Sequence, residues 1–163
     1  MSYIRQIWLA ASRDRSRHLV ILTGVPGSGK TLVGMRVVHS PELEDLRRGD
    51  RGSPAVFLSG NGPLVEVLQY VLQKAGGGGK TFVRHVRDYV KRFSKSKNLA
   101  PPEHVMVFDE AQRAFDRDKV ADTHKVPPQE ARSEPEHFTE FAERIPDWSV
   151  TVGLVGGGQA IHV

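Results

Sequence analysis

Four short apolar runs stand out along a chain that is otherwise polar and charged. Each has four to six residues and is bounded by glycine, proline or charged positions, which is typical of buried strands in a parallel sheet. The runs are Leu19–Leu22, Ala55–Leu58, His104–Phe108 and Val150–Val155. The first, Leu19–Leu22, has the pattern of a strand buried on both faces.

Between these runs, apolar residues recur at helical intervals. Helices are predicted over Ile4–Ala11, Leu64–Leu72, Phe82–Phe93 and Phe138–Ile145, with others after the first strand and from Ala111. Strands that alternate with helices predict an α/β fold, a three-layer sandwich around a mainly parallel sheet, in one domain over residues 1–163. The glycine-rich stretch Gly76–Thr81 is interpreted as a flexible linker.

A glycine-rich loop follows the first strand directly and fits the phosphate-loop pattern G-x-x-x-x-G-K-S/T at every fixed position. Its glycines let successive backbone N–H groups turn toward a polyphosphate, and the next helix directs its positive end at the same anion. Lys30 can reach the β and γ phosphates, and the Thr31 hydroxyl can ligate Mg²⁺. We therefore predict ATP and Mg²⁺ as cofactors, bound by Gly24, Val25, Pro26, Gly27, Ser28, Gly29, Lys30 and Thr31.

Acidic and polar residues follow two other predicted strands. Asp109 and Glu110 come directly after the third, and open α/β sheets bind ligands at the carboxyl ends of their strands. Asp109 can therefore hold Mg²⁺, directly or through water, and Glu110 can orient and polarise an attacking water. Gln159, after the fourth strand, is either a sensor of the γ-phosphate or water, or an ordinary polar loop residue.

Composition and charge restrict the cellular location and the partners that we expect for this protein. The 163 residues contain no cysteine and no apolar run near the ~20 residues of a membrane span, so we expect a cytoplasmic protein with no membrane partner. Lys80–Lys97 holds seven basic residues against one acid. This segment is either the solvated side of an amphipathic helix or a nucleic-acid surface formed by Arg84, Arg87, Lys91 and Lys95.

Taken together, the segments GVPGSGKT, VFLSGNGPL, VMVFDEAQR and GLVGGGQAI resemble the Schlafen group 3-like DNA/RNA helicase domain, a relative of superfamily 1 helicases, over roughly Leu19–Ile161. The resemblance implies a RecA-like P-loop motor domain whose fourth strand lies between the first and third, with the second outermost. It implies that Asp109 binds magnesium, Glu110 activates water and Gln159 couples the γ-phosphate to movement. It also implies that the region of Ser59, Gly60 and Asn61 contacts single-stranded DNA or RNA.

Superfamily 1 motors also use a second RecA-like domain, which supplies an arginine finger. The resemblance therefore implies such a domain, or another subunit, as a partner, and very slow hydrolysis by this chain alone. Two functions follow from the sequence: an ATP-hydrolysing domain of a helicase-like nucleic-acid motor, or a nucleotide-binding switch that binds ATP or ADP with negligible turnover. A small-molecule kinase is disfavoured, because Glu110 beside Asp109 suits water activation.

Overall fold

The computed structural model describes residues 2–46, 53–76, 78–111 and 134–156. In the first half lie helix α1 (Ser2–Asp14), strand β1 (Arg17–Gly24), helix α2 (Lys30–Val38), a 3₁₀ helix (Pro41–Leu46), strand β2 (Ala55–Ser59) and helix α3 (Gly62–Lys74). In the second half lie helix α4 (Gly79–Phe82), strand β3 (Val83–His85), helix α5 (Val86–Ser94), strand β4 (Val105–Phe108), helix α6 (Glu134–Arg144) and strand β5 (Ser149–Gly156).

The strands form one sheet in the order β1-β5-β4-β2-β3, and every described pair is parallel. The longest pairing joins β1 to β5, from Arg17 opposite Ser149 to Gly24 opposite Gly156. The predicted place of the fourth apolar run, between the phosphate-loop strand and the strand before the acidic pair, is confirmed. All five strands therefore bring their carboxyl ends to the same edge of the sheet.

Two apolar cores lie on the two faces of the sheet. On one face α1, α2 and α3 pack on the strands, and Trp8, Val37 and Val107 are fully buried there. On the other face α5 and α6 pack on β2 and β4, around Tyr89 and Phe141. These layers confirm the predicted three-layer α/β fold. No helix in the described ranges is long and apolar enough to cross a membrane.

Helix α2 lies very close to the sheet because Gly34 has no side chain. A Cβ at Gly34 would lie 2.9 Å from Leu154 Cδ1, 2.9 Å from Phe57 Cε2 and 3.0 Å from Val107 Cγ1. These three side chains belong to β5, β2 and β4, so the helix backbone rests on three adjacent strands. Gly34 thereby sets the depth of the helix whose N-terminus carries the phosphate loop.

Strand β1 differs from the prediction of burial on both faces. Leu19 is 70% exposed and Ile21 is 52% exposed, whereas Val20 and Leu22 are half-buried against the α1–α2–α3 core. Among the described strands β1 lies at one edge of the sheet, opposite to β3, and α5 and α6 pack over β2 and β4. An apolar run indicates a strand, but it does not by itself show whether both faces are covered.

The continuous helix predicted over Phe82–Phe93 is wrong. The chain instead forms α4, the three-residue strand β3 and then α5, so β3 rather than β2 is the outermost strand. Val83 pairs with Phe57, and the His85 side chain accepts a hydrogen bond from the N–H of Arg87 at the start of α5. Strand pairing and a new helix cap therefore override the helical spacing of the apolar residues.

The interpretation of Gly76–Thr81 as a flexible linker also fails where the structure describes it. Gly79 begins α4 and is buried, and a Cβ there would collide with the backbone carbonyl of Gln69 on α3. The Gln69 side chain in turn donates a hydrogen bond of 2.8 Å to the carbonyl oxygen of Val83 on β3. This segment is thus packed between α3 and the outer strand. The helix expected from Ala111 lies outside the described residues apart from its first position.

Helix α6 is confirmed, and two arginines hold it in place. The Arg17 guanidinium donates to the carbonyl oxygens of Ala142 (3.0 Å) and Ile145 (2.8 Å) at the carboxyl end of α6. Arg144 donates to the carbonyl oxygen of Phe93 at 2.8 Å, near the end of α5. Cations placed on the last carbonyls of a helix satisfy its free acceptors and its dipole. The two helices on this face are thereby tied to β1 and to each other.

We predict that Gly34→Ala destabilises the protein, because a methyl group there must displace three packed strand side chains. The expected loss in the free energy of unfolding is about 1–3 kcal/mol, measured by urea denaturation. Gly62→Ala is the matched control, since a Cβ there meets nothing within 4 Å, and its effect should stay within about 0.5 kcal/mol. Equal effects of the two substitutions would contradict the role given to Gly34.

Candidate active site

The phosphate loop lies between β1 and α2, at the carboxyl edge of the sheet. Gly27 has φ of 78° and Gly29 has φ of 86°, both in the left-handed region that glycine adopts without strain. A Cβ at either position would meet nothing within 4 Å, so backbone conformation rather than crowding requires glycine there. Gly29 is also the N-cap of α2, which directs the free N–H groups of the helix at the loop.

The Lys30 side chain folds back onto the loop. Its Nζ donates to the carbonyl oxygens of Gly24 (2.6 Å) and Val25 (2.9 Å) and lies 3.4 Å from Ser28 Oγ. A Cβ at Gly24 would fall 2.5 Å from the same Ser28 oxygen, so the loop closes tightly on itself. The Lys30 ammonium is therefore held against the loop backbone, where a polyphosphate on the loop N–H groups would accept charge-assisted hydrogen bonds from it.

Thr31 and Asp109 are brought together although 78 residues separate them. Thr31 Oγ1 lies 3.5 Å from Asp109 Oδ1, a weak contact at the limit of a hydrogen bond. Asp109 is 6% exposed, and its backbone N–H donates to the carbonyl oxygen of Leu58 at 2.8 Å, which continues the pairing of β2 and β4 by one residue. Both predicted magnesium ligands are thus held on rigid elements beside the phosphate loop.

These two oxygen ligands fit Mg²⁺. This ion usually takes one or two protein ligands and completes its octahedral shell with waters and substrate phosphates. Within the described ranges no group of three or more His, Cys, Asp or Glu side chains could hold a metal. The donor set therefore suits a cation that arrives with nucleotide phosphates better than one held by protein ligands alone.

Asp109 has a raised pKa. Burial is the largest cause, and the negative charge of Glu110 adds to it. The Glu110 backbone N–H, the Thr31 hydroxyl and the Lys30 charge act in the opposite direction without cancelling the rise. The neighbouring protein groups thus do not fully stabilise the ionised carboxylate of Asp109, and a divalent cation at this position would stabilise it.

Glu110 has φ of 53°, a left-handed conformation that is uncommon for a residue with a long side chain. It follows Asp109 at the carboxyl end of β4 and is half-buried. Strained backbone of this kind persists where the surroundings impose it, and it is concentrated at functional sites. The strain agrees with the catalytic role predicted for Glu110 and was not visible in the sequence.

Ser59 ends β2, and Gly60 and Asn61 form the turn that follows it at the same edge of the sheet. Ser59 Oγ accepts a hydrogen bond of 3.1 Å from the Asn61 N–H, and Asn61 Oδ1 caps α3 by accepting one of 3.2 Å from the Leu64 N–H. These two local hydrogen bonds are sufficient to explain why serine and asparagine occupy positions 59 and 61. The nucleic-acid role of the turn stays a prediction.

The basic residues predicted as a group do not form one surface. Arg84 lies half-buried on β3 with its Nε 3.3 Å from the Lys80 carbonyl oxygen, whereas Arg87, Lys91 and Lys95 are exposed on or just beyond α5. Gln159 lies outside the described residues.

The parallel sheet, the glycine-rich loop after β1 and the approach of Thr31 to Asp109 define an α/β domain with a phosphate-loop pattern at the carboxyl edge of its sheet. The family "Schlafen group 3, DNA/RNA helicase domain" matches residues 17–163. The chain belongs to this family.

The chain has low sequence identity to a solved structure that resembles it. The chain is 14% identical to the Pyrococcus furiosus Hef helicase domain, known from a crystal structure, with a TM-score of 0.48. The match covers 96% of this chain and 33% of that one, so the present chain spans about a third of the length of Hef in that structure. No curated protein matches the chain.

Lys30→Ala should lower the affinity for ATP or ADP with Mg²⁺ at least tenfold. Charge-assisted hydrogen bonds contribute on the order of 1.5–3 kcal/mol each, and the substitution removes their donor. Isothermal calorimetry measures the effect. Lys74→Ala, which removes an exposed lysine at the end of α3, is the control and should bind like the parent. Equal affinity of Lys30→Ala and the parent would contradict the assignment.

Asp109→Asn should stabilise the metal-free protein while weakening Mg²⁺-dependent nucleotide binding. The raised pKa means that folding disfavours the ionised carboxylate, so a neutral amide should increase the free energy of unfolding at neutral pH. The gain should shrink as pH falls through the folded-state pKa and disappear well below the unfolded pKa of ~3.9, where Asp109 is protonated in both the folded and the unfolded state. Urea denaturation without Mg²⁺ over this pH range measures it, and a variant less stable than the parent at neutral pH would refute the electrostatic argument.

Proposed function

We propose that this domain binds ATP with Mg²⁺ and hydrolyses it as the motor domain of a helicase-like protein that acts on single-stranded DNA or RNA. The approach of Thr31 to Asp109 carries the proposal, since it joins the phosphate loop to the acidic strand end in one magnesium-competent site. Membership of a DNA/RNA helicase domain family supports the nucleic-acid part. The absence of cysteine agrees with a reducing cytoplasmic location.

In this proposal the residues of the candidate site divide the chemistry between them. The backbone N–H groups of the loop from Gly24 to Thr31, other than Pro26, and the Lys30 ammonium would bind the nucleotide phosphates. Thr31 and Asp109 would hold Mg²⁺, which would supply charge neutralisation on the phosphates. Glu110 orients a water and accepts its proton as the water oxygen bonds to the γ-phosphorus. The bond from that phosphorus to the bridging oxygen breaks, which yields ADP and phosphate. Gln159 couples the γ-phosphate to movement.

The proposed motor also needs a partner. An arginine finger stabilises charge in the transition state and is worth roughly 10³–10⁵ in rate. We propose that a second RecA-like domain or another subunit supplies it, and that the 163-residue chain alone turns over ATP very slowly. Ser59, Gly60 and Asn61 would contact the nucleic acid at the end of β2, which pairs with β4, the strand whose end carries Asp109.

Glu110→Gln separates nucleotide binding from chemistry. The amide keeps the shape of the side chain and cannot accept the water proton, so binding should stay close to the parental value while hydrolysis falls by roughly 10²–10⁴. Single-turnover hydrolysis of labelled ATP, with and without single-stranded DNA or RNA, measures the fall. Glu66→Gln, an exposed glutamate on α3, is the control. Hydrolysis by Glu110→Gln at the parental rate would remove Glu110 from the mechanism.

A further inference from the structure

Three basic residues line one flank of α5. Arg87, Lys91 and Lys95 follow one another at four-residue intervals, which places them one above another on the same side of a helix. Lys95 is the C-cap and keeps helical backbone angles, so the row extends to the end of the helix. All three side chains are exposed, and the row is about 12 Å long at ~1.5 Å of rise per residue. We call these three residues the α5 basic row.

No carboxylate in the described part of the chain forms an ion pair with this row. The ion pairs found in the described part of the chain join Arg5 to Glu42, Arg13 to Asp14 and Arg144 to Glu140, and they include no member of the row. The only acid on α5 is Asp88. Lys91 and Lys95 lie in the last turn and at the C-cap of α5, where the helix dipole favours cations, whereas Arg87 lies in the first turn, at the positive end. Like charges four residues apart also repel one another by a few tenths of a kcal/mol per pair, so helix stability does not explain Arg87 or the row as a whole.

The opposite side of α5 is anchored in the core. Tyr89 and Phe93 are about 1% exposed with ring centroids 4.7 Å apart, and the Tyr89 hydroxyl donates a hydrogen bond of 2.9 Å to the buried Glu103. Arg144 binds the carbonyl oxygen of Phe93 from α6. The row is therefore carried by a fixed helix, which lowers the entropy lost when a partner binds.

The row begins beside the turn after β2. In the pairing of β2 with β3, Ser59 lies opposite His85, and α5 starts at the next residue, Val86. A Cβ built on Gly60 would lie 3.8 Å from Val86 Cγ1, so the turn and the first residue of α5 are neighbours. The short strand β3, which the sequence did not predict, creates this juxtaposition.

We propose that the α5 basic row binds the phosphate backbone of a single nucleic-acid strand that passes the Ser59–Asn61 turn and continues along α5. The inference rests on the proposed function and adds the path of the strand. One row of cations matches one backbone, and 12 Å corresponds to roughly three to four stacked nucleotides at ~3.4 Å each. The aromatic residues of α5 are buried, so the row contacts phosphates rather than bases and binds without base preference.

Arg84 is excluded from this surface. It is half-buried on β3, its Nε is bonded to the Lys80 carbonyl oxygen, and its charge lowers the pKa of the buried Glu103 against the larger effect of burial. We assign it to the support of the Tyr89–Glu103 pair beneath α5.

The test compares two triple variants that lose the same charge. Arg87→Ala/Lys91→Ala/Lys95→Ala removes the row, and Arg36→Ala/Lys74→Ala/Arg92→Ala removes three exposed cations elsewhere, including one on the other flank of α5. Fluorescence anisotropy with labelled oligo(dT), oligo(U) and a duplex is recorded over a salt series. Loss of the row should weaken single-strand binding at least tenfold at low salt and reduce the slope of log affinity against log salt by roughly 2, at ~0.7 per contact. The control should change affinity less than about threefold, by its weaker long-range charge effect alone.

Each outcome separates this inference from the function on which it rests. If the parent binds single strands and the row variant binds as tightly as the parent or the control variant, the role given to the α5 basic row is overturned. The proposed function then still stands. If the parent binds only duplex, both the single-strand path and the single-strand part of the proposed function are overturned. If it binds no nucleic acid, the whole nucleic-acid part of the proposed function fails. Unchanged nucleotide affinity shows that the row variant is folded. Arg87→Lys/Lys91→Arg/Lys95→Arg, which retains the charges, should bind like the parent, and its failure to do so would also overturn the inference.

Discussion

The close seating of α2 on the sheet is the constraint on which the candidate site depends. Gly34 allows the helix backbone to rest on Phe57, Val107 and Leu154, and any side chain there would lift the helix. Thr31 is the second residue of the same helix, so the depth of α2 decides how far the Thr31 hydroxyl lies from the end of β4. Parallel pairing fixes the other partner, because the Asp109 N–H is bonded to β2. Packing in the core thus positions the atoms at the sheet edge.

The same edge concentrates unfavourable electrostatics and backbone strain. Asp109 is buried with a raised pKa, and Glu110 adds a like charge beside it in a left-handed conformation. Each of these features would be relieved or used when phosphates and a divalent cation bind. Structures commonly carry such local destabilisation at functional sites and compensate for it in the core, here through two apolar layers.

Much of the fold and of the candidate site could be predicted from the sequence, because the signals for them are local and strong. The four apolar runs, the phosphate loop and the pair Asp109 and Glu110 are contiguous patterns, and the resemblance to helicase domains gave the order of those four strands. β3 was missed because three residues are too few to show alternation and fit the helical spacing on either side. The exposure of Leu19 depends on which elements cover β1, and the role of Gly34 depends on three distant strands, so neither could be read from neighbouring residues.

The central claim is that the loop, Thr31 and Asp109 form one Mg²⁺–nucleotide site, and a crystal structure with Mg²⁺ and a non-hydrolysable ATP analogue tests it most directly. The account predicts that Lys30 Nζ leaves the carbonyl oxygens of Gly24 and Val25 for the β and γ phosphates. It also predicts Mg²⁺ between the Thr31 hydroxyl and the Asp109 carboxylate, with Asp109 binding directly or through water. A nucleotide bound elsewhere, or bound at the loop with Lys30 still on the carbonyls and no cation near Asp109, would contradict it.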